Sequence, residues 1–256
     1  MGVLEQRGCG FPVGVDGGLV VPIVPAAVFY DLGRGGAFGN RPDEGFGRRA
    51  ALAARPKRPA EGAVGAGTGA VAGGLQGGVG TASITLATGD RVAAIAVVNS
   101  AGSVIDPRTC LPFEYDGLRL KRPSAVDKRA LREFLEGLRQ QVPSALNTTI
   151  GVVATSAGLT KTECTKLAGT AHDGLARAVR PAHSMFDGDT IFTLSTGVAP
   201  QPPYDGTAAR ARAAELEPVL QAGAHCFALA CTRAVLAARS FRGGAPAYID
   251  LYPSAL

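Results

Sequence analysis

The sequence predicts an α/β fold, a sandwich of strands and helices stacked in layers, on three observations. Residues 81–86 and 91–98 are β-rich runs joined by Ala87-Thr88-Gly89-Asp90, the pattern of a β-hairpin. Residues 146–155 begin polar and become a β-branched apolar run, so a loop feeds a buried strand, and a capped helical pattern follows over 160–179. Trp is absent and aromatics make up only 6%, so Ala, Val and Leu must fill the core, and side chains this small suit closely stacked layers. At 256 residues, with no internal repeat and no low-complexity linker, the chain reads as one domain.

In chain order, residues 2–8 read as the tail of a helix with a glycine stop. Residues 17–32 are apolar and β-rich, a buried strand leading to a turn at 33–36. A helix is expected over 44–54, ended before Pro56, followed by a basic, proline-broken loop. Residues 62–80 form a glycine-rich centre. An amphipathic helix spans 127–141, with Ser124 or Asp127 near its N-cap and Leu131, Phe134, Leu135 and Leu138 on one face; it ends at Val142-Pro143. Thr160 with Glu163 three residues on is a capping box. Residues 190–195 read as a strand, and 208–238 as one Ala-rich helix or two broken at Pro218. The tail, 248–256, reads as a last strand.

Composition narrows the function classes. The net charge is +5, and much of it sits in Arg48-Arg49, residues 55–58 and residues 119–122. No aromatic residues interleave these as a base-stacking platform requires, so they read as solvated faces and no nucleic-acid partner is expected. The five cysteines are widely spaced without a C-x-x-C, which suits a reducing cytoplasm better than a disulfide framework. No apolar run reads as long enough to span a bilayer, no leader opens the chain, and no membrane partner is expected.

The chemistry centres on Asn147-Thr148-Thr149. If the Asn147–Thr148 bond is cut, Thr148 becomes an N-terminus at the head of a strand. Its α-amine, of ordinary pKa about 7.7–8.0, can then take its own hydroxyl's proton. The same three residues form a literal N-glycosylation sequon, which matters only in a secreted protein; an ordinary strand start is the plain alternative. Asp187-Gly188-Asp189 places two carboxylates around one glycine, able to hold a threonine hydroxyl and ammonium or to form an ordinary Asp-Gly turn. Asn99, a short amide ending an apolar strand, is the candidate oxyanion donor. His172, His183 and His225 read as structural, since an N-terminal threonine needs no histidine base; a Mg²⁺ site at His183 lacks a third carboxylate at ligand spacing, so no metal or cofactor is expected. Gly65-Ala66-Gly67-Thr68-Gly69-Ala70 matches G-x-G-x-x-A. The strand–turn–helix setting of a dinucleotide site is missing, and no Lys-Ser or Lys-Thr follows to make a P-loop. Close backbone packing beside a substrate cleft is the better reading, with Gly67, Thr68 and Gln76 as candidate substrate-binding residues.

Residues 147–155 resemble the self-cleavage junction of the L-aminopeptidase/D-esterase family, in the Asn-Thr form of its nylon-oligomer (6-aminohexanoate-oligomer) hydrolase branch. Residues 22–32, 65–70, 183–190 and 250–254 also match in order, so the resemblance spans nearly the whole chain. It implies an Ntn-hydrolase-like αββα arrangement, autocleavage at Asn147/Thr148 into an α-chain of 1–147 and a β-chain of 148–256, and hydrolysis of small peptides or linear amides. It assigns Thr148 as nucleophile, Asn99 as a catalytic amide, and Asp187 and Asp189 as partners of the threonine. It also implies no cofactor and a homo-oligomer of αβ units. Two departures stand out. Members of the family begin upstream with a strand, a Ser/Gly-rich turn and a helix, so a truncation or misplaced start is expected here. The nylon-hydrolase branch carries a Lys in the glycine-rich stretch where residues 72–77 have none, leaving Gln76 as the available donor. An acyltransferase resembling ornithine acetyltransferase, and an inactive uncleaved homologue, remain the alternatives.

Overall fold

The structure, a computed structural model, describes residues 1–15, 18–139, 146–199 and 206–255. In chain order the elements are α1 (Gly2–Glu5), β1 (Phe11–Val13), β2 (Leu19–Val21), α2 (Glu44–Ala53), β3 (Val71–Ala72), β4 (Leu75–Gln76), β5 (Gly78–Thr85) and β6 (Arg91–Val98). They continue with α3 (Ala125–Arg139), β7 (Ile150–Thr155), α4 (Lys161–Ala178), β8 (Thr190–Ser195), α5 (Gly206–Leu236) and α6 (Tyr248–Leu251). The main sheet has the order β5-β6-β7-β8, antiparallel except for the parallel pair β7–β8; β1–β2 and β3–β4 are two-stranded ribbons.

The layered α/β class is as the sequence predicts. Val92, Ala94, Ala96 and Val98 alternate along β6 and are buried with Val153 of β7 in the core that α4 and α5 share. Ala93, Ile95 and Val97, with Ile150, Val152 and Ala154, are only half-buried on the opposite face. Small residues matter because the layers touch backbone to backbone. A Cβ on Gly80 of β5 would fall 2.0 Å from the Ala230 carbonyl oxygen of α5, and one on Gly174 of α4 would fall 2.1 Å from that of Ala224.

The hairpin forms on the residues expected for it, and β5 starts earlier, inside the glycine-rich stretch. Gly89, at φ +90, makes its turn. α3 begins before Asp127, capped by Ser124, whose Oγ accepts from Asp127 N at 3.1 Å; its expected end at Gln140-Gln141 and Val142-Pro143 lies outside the described residues. Residues 206–236 are one helix that continues through Pro218.

Three expectations are corrected. The buried strand expected over 17–32 does not form across the described residues 18–32: β2 is a three-residue strand in a ribbon with β1, and Ile23, Val24 and Val28 beyond it are exposed. Pro22 and Pro25 remove ladder N–H groups there. The tail turns helical because Tyr248 and Tyr252, one turn apart, are both fully buried with ring centroids 5.2 Å apart. Finally, α5 is long and apolar enough to cross a membrane, with mean hydropathy 1.4; here 72% of that window is buried inside the protein. It is a core helix of this fold.

The capping box at the start of α4 is tied to α5. Glu163 Oε2 accepts from Thr160 N at 2.8 Å, and Thr160 Oγ1 accepts from Glu163 N at 3.3 Å. Arg212 clamps the same carboxylate, Nε to Oε1 at 2.8 Å and Nη2 to Oε2 at 3.0 Å. These bonds from Arg212, above all, hold the Glu163 carboxyl down at about 2. Its stabilisation is therefore present above the unfolded value of about 4.3 and is lost as pH falls toward 2. Glu163→Gln should lower stability at neutral pH by on the order of 2 kcal/mol, after allowing for solvent screening, and should flatten the fall in melting temperature across that acid window. Thermal melts of both proteins from neutral to acid pH check this.

Candidate active site

The proposed cleavage junction sits at the head of β7 and extends its pairing with β8. Asn147 bridges Asp187 in parallel register. Asn147 N donates to Phe186 O at 2.9 Å, Gly188 N to Asn147 O at 3.0 Å, and Thr190 N to Thr149 O at 3.0 Å. Thr148 N donates to Asn99 O, at the end of β6, at 2.6 Å. The junction is thus held from both sides by main chain. Asn147 and Thr149 are buried and Thr148 is half-buried.

The Thr148 hydroxyl folds back on the preceding peptide, donating to the Asn147 carbonyl oxygen at 2.5 Å. That carbonyl receives two donors, the hydroxyl and the Gly188 N–H. An attack by Oγ on this carbonyl would put negative charge where the Gly188 N–H already points. That donor leaves no residue-type signal in the sequence, because it is a backbone N–H.

The two aspartates flank Thr148, and among the described residues neither bonds to it directly. Asp189 Oδ1 accepts from Thr149 N at 2.8 Å, and Oδ2 accepts from His183 Nδ1 at 2.8 Å. Asp187 Oδ1 accepts from Ala101 N at 3.0 Å, and Oδ2 from Ser184 Oγ at 2.5 Å. In the uncut chain the carboxylates therefore brace the strand ends around the junction. His183, expected from the sequence to be structural, bonds to Asp189, and its ring lies 4.9 Å from that of His172. Burial first, and His183 second, push the His172 imidazole below its ordinary value. His172 Nδ1 is buried without a hydrogen-bond partner among the described residues. Among the described residues no group of three or more His, Cys, Asp or Glu could hold a metal ion.

Asn99 is fully buried. Its Oδ1 accepts from Val71 N at 3.0 Å and from Arg34 Nη1 at 2.5 Å, and its Nδ2 donates to Tyr30 O at 3.4 Å. Arg34 carries no local sequence signal, and its partner lies 65 residues away. The glycine-rich stretch contains a short 3-10 turn, Gly65–Gly67, and no dinucleotide-type strand–turn–helix. Gly67 is buried against the Gly78–Val79 backbone, while Thr68 is exposed with its Oγ1 donating to Gly65 O at 2.8 Å. Gln76 departs from its expected role. It is 1% exposed, and its Nε2 donates to Ala70 O at 2.8 Å and Thr68 O at 3.1 Å, so it braces the loop from within and presents nothing to a cleft.

Several known proteins are similar to this chain. An uncharacterized aminopeptidase of Mycobacterium tuberculosis is 45% identical over 258 residues, covering 98% of this chain and 73% of the relative. The 6-aminohexanoate-oligomer endohydrolase of Paenarthrobacter ureafaciens is 31% identical over 197 residues, covering 72% of this chain and 53% of the relative. Among solved structures, a Burkholderia sp. β-aminopeptidase matches with a TM-score of 0.52 at 26% identity, over 80% of this chain and 55% of that one. The L-aminopeptidase D-Ala-esterase/amidase of Ochrobactrum anthropi, described as a variant of the Ntn-hydrolase fold, matches in fold with a TM-score of 0.54 at 21% identity. This chain thus spans about half the length of the solved structures it matches, 55% and 53%. The sequence pattern of peptidase family S58 matches residues 12–247, and the chain belongs to that family.

Proposed function

We propose that this protein is a self-processing amide hydrolase with Thr148 as its nucleophile. The observation that carries the reading is the Thr148 hydroxyl lying 2.5 Å from the Asn147 carbonyl oxygen, which the Gly188 N–H already polarises. In the first step Oγ attacks the Asn147 carbonyl carbon. The C–N bond to Thr148 breaks, and that nitrogen takes the hydroxyl's proton. Water then hydrolyses the ester, leaving an Asn147 carboxylate and a free Thr148 α-amine. In the mature enzyme that amine takes the hydroxyl proton as Oγ attacks a substrate amide carbonyl. The amide C–N bond then breaks, and the leaving amine takes that proton. A second water, giving a proton back to Oγ through the α-amine, releases the acyl group as a carboxylic acid.

Membership of the peptidase family and the aminopeptidase and oligomer-hydrolase names of the relatives support N-terminal residues of peptides, or ω-amino-acid oligomers, as substrates. The same reading carries a homo-oligomer of αβ units. It also carries residence in a reducing cytoplasm, which five free cysteines suit, Cys110, Cys226 and Cys231 among them buried. Denaturing mass spectrometry of the purified protein tests the central step. Two fragments meeting at Asn147/Thr148 are expected; a single intact chain that hydrolyses no peptide or 6-aminohexanoate oligomer overturns the reading.

A further inference from the structure

We propose that Arg34 is a positioning residue that fixes the amide of Asn99 so that its NH2 group is the end left free to donate at the reaction centre. The inference rests on the reading of Thr148 as nucleophile and Asn99 as oxyanion donor, and names what makes that donor competent.

A side-chain amide has two faces that differ only by a 180° flip, and nothing intrinsic to the residue chooses between them. Around Asn99 the choice is made by two donors converging on one atom. Val71 N at 3.0 Å and Arg34 Nη1 at 2.5 Å both point at Oδ1. A flipped amide would set its own NH2 against two N–H donors in a fully buried pocket. The acceptor end is therefore saturated, and Nδ2 is left with one long bond, to Tyr30 O at 3.4 Å. Two N–H groups on that nitrogen and one weak acceptor leave donor capacity for a developing oxyanion. The same residue's main-chain oxygen receives Thr148 N, so fixing Asn99 fixes the amide and the nucleophile together.

Arg34 is built to hold this position. It sits in the turn after Tyr30, with its guanidinium 5.9 Å over the Tyr30 ring and Nη1 also within 3.5 Å of Gly69 O. Asp31 packs against Gly69 so closely that a Cβ there would fall 2.6 Å from its Oδ2. That contact pins the Arg34 turn onto the glycine-rich loop. No carboxylate lies within ion-pair reach of Arg34 among the described residues, so its charge is directed at the amide oxygen. Burial lowers the Arg34 guanidinium from its ordinary value, with Asp31 opposing, and an arginine stays charged through such a change.

The test compares the full chain with Arg34→Ala and Arg34→Lys, reading self-cleavage rate, kcat and KM on a dipeptide or 6-aminohexanoate oligomer, and the melting temperature. Arg34→Ala should lower kcat and the cleavage rate by about 10- to 100-fold, with KM changed by less than about threefold. Arg34→Lys, which keeps a charged donor, should recover most of the loss. Free guanidinium ion should restore part of the Arg34→Ala rate. A raised KM with unchanged kcat overturns the proposal in favour of direct substrate contact by Arg34. A loss that tracks the melting temperature, without rescue by lysine or guanidinium, overturns it in favour of a merely structural brace. Wild-type activity with an unchanged Arg34→Ala rate defeats this inference alone, whereas an inert wild-type chain defeats the proposed function and this inference with it.

Discussion

Thr148→Ala should leave the chain in one piece and remove amide hydrolysis, a drop of about 10⁴-fold or more against the wild type. The argument is local. The Thr148 side chain meets the Asn147 carbonyl oxygen through Oγ, at 2.5 Å, and alanine deletes Oγ while keeping Cβ and the main-chain bond from Thr148 N to Asn99 O. The strand pairing around the junction is main-chain throughout, so the melting temperature should scarcely move. Thr148→Ser keeps the hydroxyl and should still cleave. Intact-mass measurement of the three proteins after matched incubation decides it. Full cleavage of the alanine variant would remove Thr148 from the reaction altogether.

Asp189→Ala and Asp189→Asn should separate support from charge. The Asp189 side chain is 4% exposed and accepts from Thr149 N on one oxygen and His183 Nδ1 on the other. Alanine strands the Thr149 N–H without a partner, at a cost of about 1–3 kcal/mol from that group alone. Asparagine can keep its oxygen on Thr149 N and turn its NH2 toward His183, whose imidazole can switch tautomer to accept. The fold should therefore survive Asp189→Asn, while, if Thr148 is the nucleophile as proposed, loss of the negative charge at the junction should slow cleavage and turnover by about 100-fold. Urea denaturation reports the first effect and single-turnover cleavage the second. An asparagine variant that cleaves at the wild-type rate would reduce Asp189 to a strand brace.

What could be read from the sequence was what short-range chemistry decides. The β5–β6 hairpin follows from Ala87-Thr88-Gly89-Asp90, and the start of α4 follows from Thr160 and Glu163, because each pattern closes its own hydrogen bonds within a few residues. Thr148, Asn99, Asp187 and Asp189 lie close together because the antiparallel β6–β7 and parallel β7–β8 pairings set their strand ends side by side. What escaped was decided at long range. Residues 17–32 look like a strand in sequence, but past β2 no partner strand runs beside them among the described residues. The tail looks extended until Tyr248 and Tyr252 are seen sharing one buried site. Gln76 looked like a donor for substrate, but its amide is satisfied by the loop that carries it. Arg34 was invisible because its meaning depends on an amide at the far end of another strand.

The placement of β7 carries a last consequence. A cut before it would assign β5 and β6 to one polypeptide and β7, α4, β8 and α5 to the other, yet β6 and β7 are laddered from Val92–Thr155 to Val97–Ile150, and α5 packs across β5 and β6. The severed halves would be interlocked like fragments of a complemented protein. They would travel as one particle through gel filtration and part only when the whole core is unfolded.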